Sequence, residues 1–273
     1  MKIHSILTIA GSDCSGGAGV QADIKTISAI GCYAASAITA VTVQNTLGVK
    51  DVFAIPAEVV KAQIEAVLND LPIEAIKIGM VTDGNIIKML TELLPQYPNI
   101  PVVFDPVLVS SNSYPLVEPK TLDIIRQALI PCCTLVTPNI PETEKLSGQT
   151  VTTLADMETA GRLIMQTGCK AVLIKGGHLS GNEKTDILLT GKNPTDIYRF
   201  NAKQINSSNT HGTGCTLSSA IAAYMALGLP LTEAVQEGKN FLTAAMESAR
   251  DIYFGHGHGP LNHFFNPKKL IIR

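Results

Sequence analysis

The sequence predicts an α/β protein with a mostly parallel sheet and helices on both faces, a three-layer α/β/α arrangement. Three observations carry this prediction. Short apolar runs alternate with helix-patterned segments along nearly all of the 273 residues. The runs are continuously apolar rather than apolar at every second residue, as strands covered on both sides require. Glycines, prolines and small polar residues gather where the runs end, which is where open α/β sheets hold their ligands.

The first strand is expected over Ser5–Ala10, where Gly11 and Asp13 break the apolar run, and Gly16, Gly17 and Gly19 then open a helix over Gly19–Ile30. Ala35–Thr42 reads as the next strand and Ala57–Asp70 as the next helix. Strands at Ala75–Ile78 and Pro101–Asp105 flank a helix over Gly84–Leu94. Helix Glu118–Leu129, strand Thr134–Thr137 and helices Pro141–Leu146 and Leu154–Gln166 follow. The last strands are Ala171–Lys175, Thr185–Leu189 and Asp196–Phe200, and helices Gly214–Leu227 and Leu231–Ile252 close the chain. The clearest breaks are the loop from Ser110 to Pro119 and the polar hairpin Ser180–Lys184, and neither is a linker, so residues 1–273 are expected to form one domain.

Bulk properties narrow the function. A hydrophobic content of 45% excludes disorder, and a formal net charge of −2 gives no electrostatic case for nucleic acid or an anionic membrane. With no tryptophan and 5% aromatic residues, stacking on bases is excluded as a main device. No apolar run approaches the roughly 18 residues of a membrane span, and the N-terminus reads as a strand rather than a signal peptide. The six cysteines are scattered without C-x-x-C spacing, which points to a reducing cytoplasm.

The stretch HGTGCT, His211 to Thr216, precedes an apolar, small-residue helix. Glycines there let N–H groups converge at a helix N-terminus, whose partial positive charge attracts phosphate. Cys215 falls in the first turn, where a thiol is expected to have a lowered pKa and to serve as base or nucleophile. The alternative is a plain glycine turn before a core helix. In AGSDCSGGAGVQADIKT the glycines form neither a P-loop nor a dinucleotide fingerprint, and Asp23 reads either as a site residue or as a solvated carboxylate. Gln44, in TVQNTLGV, has an amide able to read a heterocycle edge. Asp105, ending a strand before Pro106, either holds Mg²⁺ through water or simply marks an Asp-Pro turn. In TPNIPE, Asn139 and Glu142 suit either a hydrated metal with phosphate or a helix cap. Lys175 in KGGH offers a point charge to phosphate. GHGHGP, with His256 and His258, lacks a supporting third metal ligand and reads as a structural or substrate-adjacent loop.

In this order, AGSDCSGGAGVQADIKT, TAVTVQNTLGV, KIGM, DPV, TPNIPE, KGGH and NTHGTGCTLSSAIAA resemble the ribokinase-like superfamily, and within it the hydroxymethylpyrimidine/phosphomethylpyrimidine kinases of thiamine biosynthesis. The resemblance implies ATP- and Mg²⁺-dependent phosphorylation of a pyrimidine alcohol and then of its monophosphate by a cytoplasmic homodimer. It implies a pyrimidine pocket of Gly11, Asp23, Gln44, Met80 and Val107. It places Asn139, Glu142 and Asp105 near Mg²⁺ and phosphate, Lys175 on ATP phosphate, Gly212, Thr213 and Gly214 in an anion hole, and Cys215 at the base position. The GTGC stretch stands where most sugar kinases of the superfamily have GxGD, which argues against a sugar substrate. Adenine is expected near residues 203–210 and 236–246. A pyridoxal kinase and a non-catalytic pyrimidine or nucleotide sensor are the alternatives.

Overall fold

A computed structural model describes residues 1–108, 117–179, 183–191 and 196–273. The strands are β1 (Ser5–Asp13), β2 (Tyr33–Asn45), β3 (Gly48–Ala54), β4 (Ala75–Ile78), β5 (Val102–Phe104), β6 (Leu135–Val136), β7 (Ala171–Ile174), β8 (Glu183–Thr190) and β9 (Ile197–Lys203). The helices are α1 (Gly19–Ile30), α2 (Ala57–Asp70), α3 (Gly84–Leu93), α4 (Pro119–Ile124), α5 (Ile140–Ser147), α6 (Leu154–Met165), α7 (Thr213–Ala226) and α8 (Leu231–Ala249). All strands join one sheet in the order β3-β2-β1-β4-β5-β6-β7-β8-β9. The inner pairings from β2 to β7 are parallel, while β3 on one edge and β8 and β9 on the other run antiparallel to their neighbours.

The continuous apolar runs are explained by two cores. Along each inner strand, alternate side chains enter opposite clusters. Leu7, Ile76, Phe104, Val136 and Val172 pack under α2, α3, α5 and α6. Ile6, Ala75, Val103, Leu135 and Ala171 pack against α1, α7 and α8. Both faces of the sheet are dry, so no alternation survives in the sequence. Helix α7 buries small residues around most of its circumference, including Ala220, Ala222 and Ala223, which lets α1 and α8 flank it.

Three elements differ from expectation. Strand β3 was not anticipated: it is an edge strand with Lys50, Asp51, Phe53 and Ala54 exposed, so it lacks an apolar run. Its pairing carries β2 on to Asn45, beyond Thr42, with a bulge between Val43 and Gln44. The helix expected over Glu118–Leu129 is α-helical only to Ile124 and continues as a wider π turn over Ile125–Leu129. The expected loop from Ser110 falls largely on residues 109–116, and most of the hairpin at Ser180–Lys184 on 180–182, outside the described residues.

Candidate active site

The parallel strands β1, β4, β5, β6 and β7 end at one cavity of about 860 Å³. Gly11, Gln44, Met80 and Val107 line one part of it. Asp105, Asn139, Glu142 and Lys175 line the middle, beside Gly212, Thr213, Gly214 and Cys215. Lys203, Gln204, Ile205 and Ser207, with Leu242, Thr243 and Met246 from α8, also line the cavity and fall within the two segments expected to hold adenine. The bulge in β2 places Gln44 at the end of a paired strand rather than in a free loop, at the cavity wall.

The α7 end is built by Gly212. Its φ of +85° lies in the left-handed region that suits glycine, and a Cβ there would run into the Gly17 carbonyl. No side chain caps this helix end among the described residues, so its first-turn N–H groups and dipole face the cavity.

Lys175 stands beside that end. Its Nζ lies 2.6 Å from Asp105 Oδ1 and 3.9 Å from Glu142 Oε2. Burial alone would discharge the lysine, but the Asp105 and Glu142 carboxylates outweigh it and hold its pKa above the ordinary value. The helix-cap reading of TPNIPE is the one seen directly, and the same residues line the cavity. Asn139 Oδ1 accepts from the Glu142 N–H at 2.9 Å, and Glu142 Oε2 accepts from the Asn139 N–H at 2.8 Å, a capping box that also lines the cavity. Burial pushes Glu142 up to about 7; Lys175 pulls it down and Asp105 pushes it further up.

Two expectations need correction. The Cys215 thiol is not lowered by its helix end but pushed up to about 11. Burial is the main cause; Lys77 pulls the other way, and Asp23 and Asp105 add to the rise. Asp23 is neither solvated nor a wall of the pocket. It is fully buried, accepts two bonds from Lys77 Nζ at 2.8 Å, one from Thr8 Oγ1 at 2.6 Å and one from Ser219 Oγ at 2.7 Å. Lys77, in KIGM, was given no role, although a lysine inside the apolar run AIKI is itself a signal of a buried partner. Asp13, His211 and Lys239, to which the sequence assigns no individual role, also line the cavity.

The fold and this arrangement of helix end, lysine and carboxylates are those of a ribokinase-like kinase. Staphylococcus aureus pyridoxal kinase in complex with AMP-PCP and pyridoxal matches with a TM-score of 0.86 at 32% identity, over 97% of this chain and 94% of that one. The chain belongs to the phosphomethylpyrimidine kinase family, whose model matches residues 13–262. It is 45% identical over 259 residues to the hydroxymethylpyrimidine/phosphomethylpyrimidine kinase of Rhizobium meliloti, covering 94% of this chain and 96% of that protein. It is 42% identical to the thiamine biosynthesis bifunctional protein of Geobacter sulfurreducens, covering 95% of this chain but 52% of that protein. The chain thus spans about half the length of that bifunctional relative.

Proposed function

We propose that this chain transfers the γ-phosphoryl group of ATP to the hydroxymethyl oxygen of 4-amino-5-hydroxymethyl-2-methylpyrimidine, and then phosphorylates the monophosphate to the diphosphate. The observation that carries the proposal is that the α7 helix end, Lys175, Asp105 and Glu142 line one cavity together with Gly11, Gln44, Met80 and Val107, in a chain of the phosphomethylpyrimidine kinase family. Gln44, Met80, Val107 and Gly11 hold the pyrimidine. The residues from Lys203 to Ser207 and the α8 side chains hold the nucleotide. Lys175 and the Gly212–Cys215 amides hold the transferring phosphoryl group, so that positioning and charge stabilisation lower the barrier.

The donor set suits Mg²⁺. Asp105 and Glu142 offer two carboxylates on either side of Lys175, and among the described residues no cluster of three or more acidic, histidine or cysteine ligands is present. Magnesium is usually held by one or two carboxylates with phosphate and water completing its shell. When bound, it supplies positive charge to the phosphate oxygens. Asp105 and Glu142 orient that charge, and Lys175 balances theirs.

Cys215 takes the hydroxymethyl proton in the first reaction. In the second, the acceptor is already an anion and needs no such base. Because the thiol titrates near 11, kcat/KM for the alcohol should climb about tenfold per pH unit through the neutral and mildly alkaline range, with the monophosphate reaction nearly flat. The Cys215→Ala variant should lose about 10²–10⁴-fold on the alcohol and less on the monophosphate. Equal small losses on both acceptors would leave Cys215 as packing at the helix end. Assaying pyridoxal in parallel separates this reading from a pyridoxal kinase, and ATP consumption on addition of pyrimidine separates it from a sensor.

The same proposal makes the chain one kinase domain acting as a homodimer in the cytoplasm. Val41, Val43 and Phe53 expose apolar surface on the β2–β3 edge, with Val41 paired to Phe53, and a second copy would cover it. No helix among the described residues is long and apolar enough to cross a membrane. Sedimentation of the wild type and of Phe53→Asp tests the dimer.

A further inference from the structure

Two loops that line the cavity, the one after β1 and the one before α7, are joined by a polar contact. His211 Nε2 lies 2.8 Å from Asp13 Oδ2, with both side chains largely buried. Asp13 has four further donors: the Ser15 N–H at 2.8 Å and hydroxyl at 2.7 Å on Oδ1, and the N–H groups of Gly17 at 3.0 Å and Ala18 at 2.8 Å on Oδ2. Burial would raise its pKa, but the His211, Ser15 and Ala18 donors outweigh burial and hold the carboxyl well below the usual range. An ionised Asp13 only accepts, so His211 Nε2 carries the proton and donates. The same nitrogen lies 3.5 Å from Gln44 Nε2, and the ring packs so closely on Gly17 that a Cβ there would overlap it. One imidazole, on the residue next to Gly212, therefore touches the loop after β1 through Asp13 and Gly17 and packs against the Gln44 amide.

The histidine-containing C-terminal loop fastens the same junction. Its His256 and Gly257 N–H groups both donate to Thr46 Oγ1 at 3.2 Å, and the His258 N–H donates to the Thr46 carbonyl at 2.9 Å. One residue further on, the Gly259 carbonyl accepts from the His211 N–H at 3.1 Å. The motif GHGHGP is thus a strap running from the turn beside Gln44 to the loop that carries Gly212. Its backbone makes these contacts, and the His258 imidazole adds one more, with Nδ1 3.3 Å from Thr210 Oγ1.

We propose that the Asp13–His211 pair, held by this strap, is a positioning latch that sets ring recognition at Gln44 and the placement of the Gly212–Cys215 amides together. His211 acts through Gln44 and Gly212, not by exchanging a proton with substrate. The latch rests on the kinase reading for its kinetic consequences, whereas its mechanical consequence is read independently of turnover.

The experiment compares His211→Leu, His211→Gln and Asp13→Asn with the wild type. A glutamine amide nitrogen reaches about where Nε2 stands and still donates to Asp13. In His211→Leu, kcat with the pyrimidine alcohol should fall on the order of 10²-fold and its KM should rise, with KM for ATP changed no more than about twofold. His211→Gln should recover most of the loss, and Asp13→Asn should behave like His211→Leu. Hydrogen exchange should accelerate in residues 12–19 and 209–215 together in His211→Leu, and stay near wild type in His211→Gln, whether or not turnover is observed. Wild-type kinetics and exchange in His211→Leu would overturn the latch. So would a His211→Gln variant as impaired as His211→Leu, which would make the imidazole a proton-transfer group, or faster exchange confined to one of the two loops.

Discussion

Two lysine–aspartate pairs, one on β4 and one after β7, differ in what surrounds them. Lys77 on β4 meets Asp23 on α1 with both side chains fully buried, and hydroxyls from Thr8 on β1 and Ser219 on α7 complete the carboxylate's bonding. Lys175, just after β7, meets Asp105, just after β5, but keeps 15% of its side chain exposed and shares its charge with Glu142 at the cavity wall. The first pair is closed: every acceptor is used and no ligand reaches it. It joins four elements beneath the helix that carries Cys215, in keeping with buried pairs contributing more to a defined arrangement than to net stability. The second pair is open, with a lysine able to exchange part of its carboxylate contact for phosphate. Residue type alone does not separate a structural ion pair from a functional one; what the solvent-facing side can still accept does.

That contrast can be broken by removing one partner from each pair. Lys77→Met leaves Asp23 buried without its counter-ion and should destabilise the fold by about 3–5 kcal/mol, read by urea unfolding. The double variant Lys77→Met/Asp23→Leu should regain part of that loss. A Lys77→Met protein as stable as wild type would mean the closed pair is not closed. Lys175→Met should lower kcat by about 10²–10³-fold and cost less stability than Lys77→Met: it also leaves the buried Asp105 and Glu142 carboxylates without their counter-ion, but at a cavity wall that water reaches. A large stability loss there would make the two pairs alike. The smallest effect sharpens the comparison through pH. His263, 2% exposed and bonded to Thr216 Oγ1 at 2.9 Å, belongs to the buried layer under α7. Burial, with a smaller push from Lys25, lowers its pKa to about 4. The unfolded chain, titrating near 6.5, then binds more protons than the folded one between those values. Its contribution is complete above pH 6.5 and is lost as pH falls towards 4, up to about 3 kcal/mol. In His263→Gln, the acid side of the stability curve should flatten over that window; an unchanged curve would remove His263 from the buried layer.

Much of this protein was legible in its sequence because the signals are local. Apolar runs bounded by glycine and proline marked the inner strands, since a strand dry on both faces must be apolar throughout. The spacing of Asn139 and Glu142 allowed a helix cap, and the glycines of HGTGCT marked a turn before α7; the capping box and the left-handed Gly212 come from the structure. The ordered motifs gave the family and gathered Gly11, Gln44, Met80, Asp105, Glu142, Lys175 and Cys215 into what proved to be one cavity wall. What the chain did not reveal depends on contacts between residues far apart. Edge strand β3 has no buried face and so no pattern. Asp23 read as a pocket residue or a solvated carboxylate, and only Lys77, 54 residues away, shows it to be a buried ion-pair partner. The Cys215 thiol follows the desolvation and charges of its packed surroundings rather than its place in a helix, and His211 became a latch only when Asp13, 198 residues distant, came within hydrogen-bonding reach. Backbone geometry and strand burial are written in neighbouring residues; charge state and pairing are decided by which distant groups the tertiary fold leaves beside one another and how much water it leaves between them.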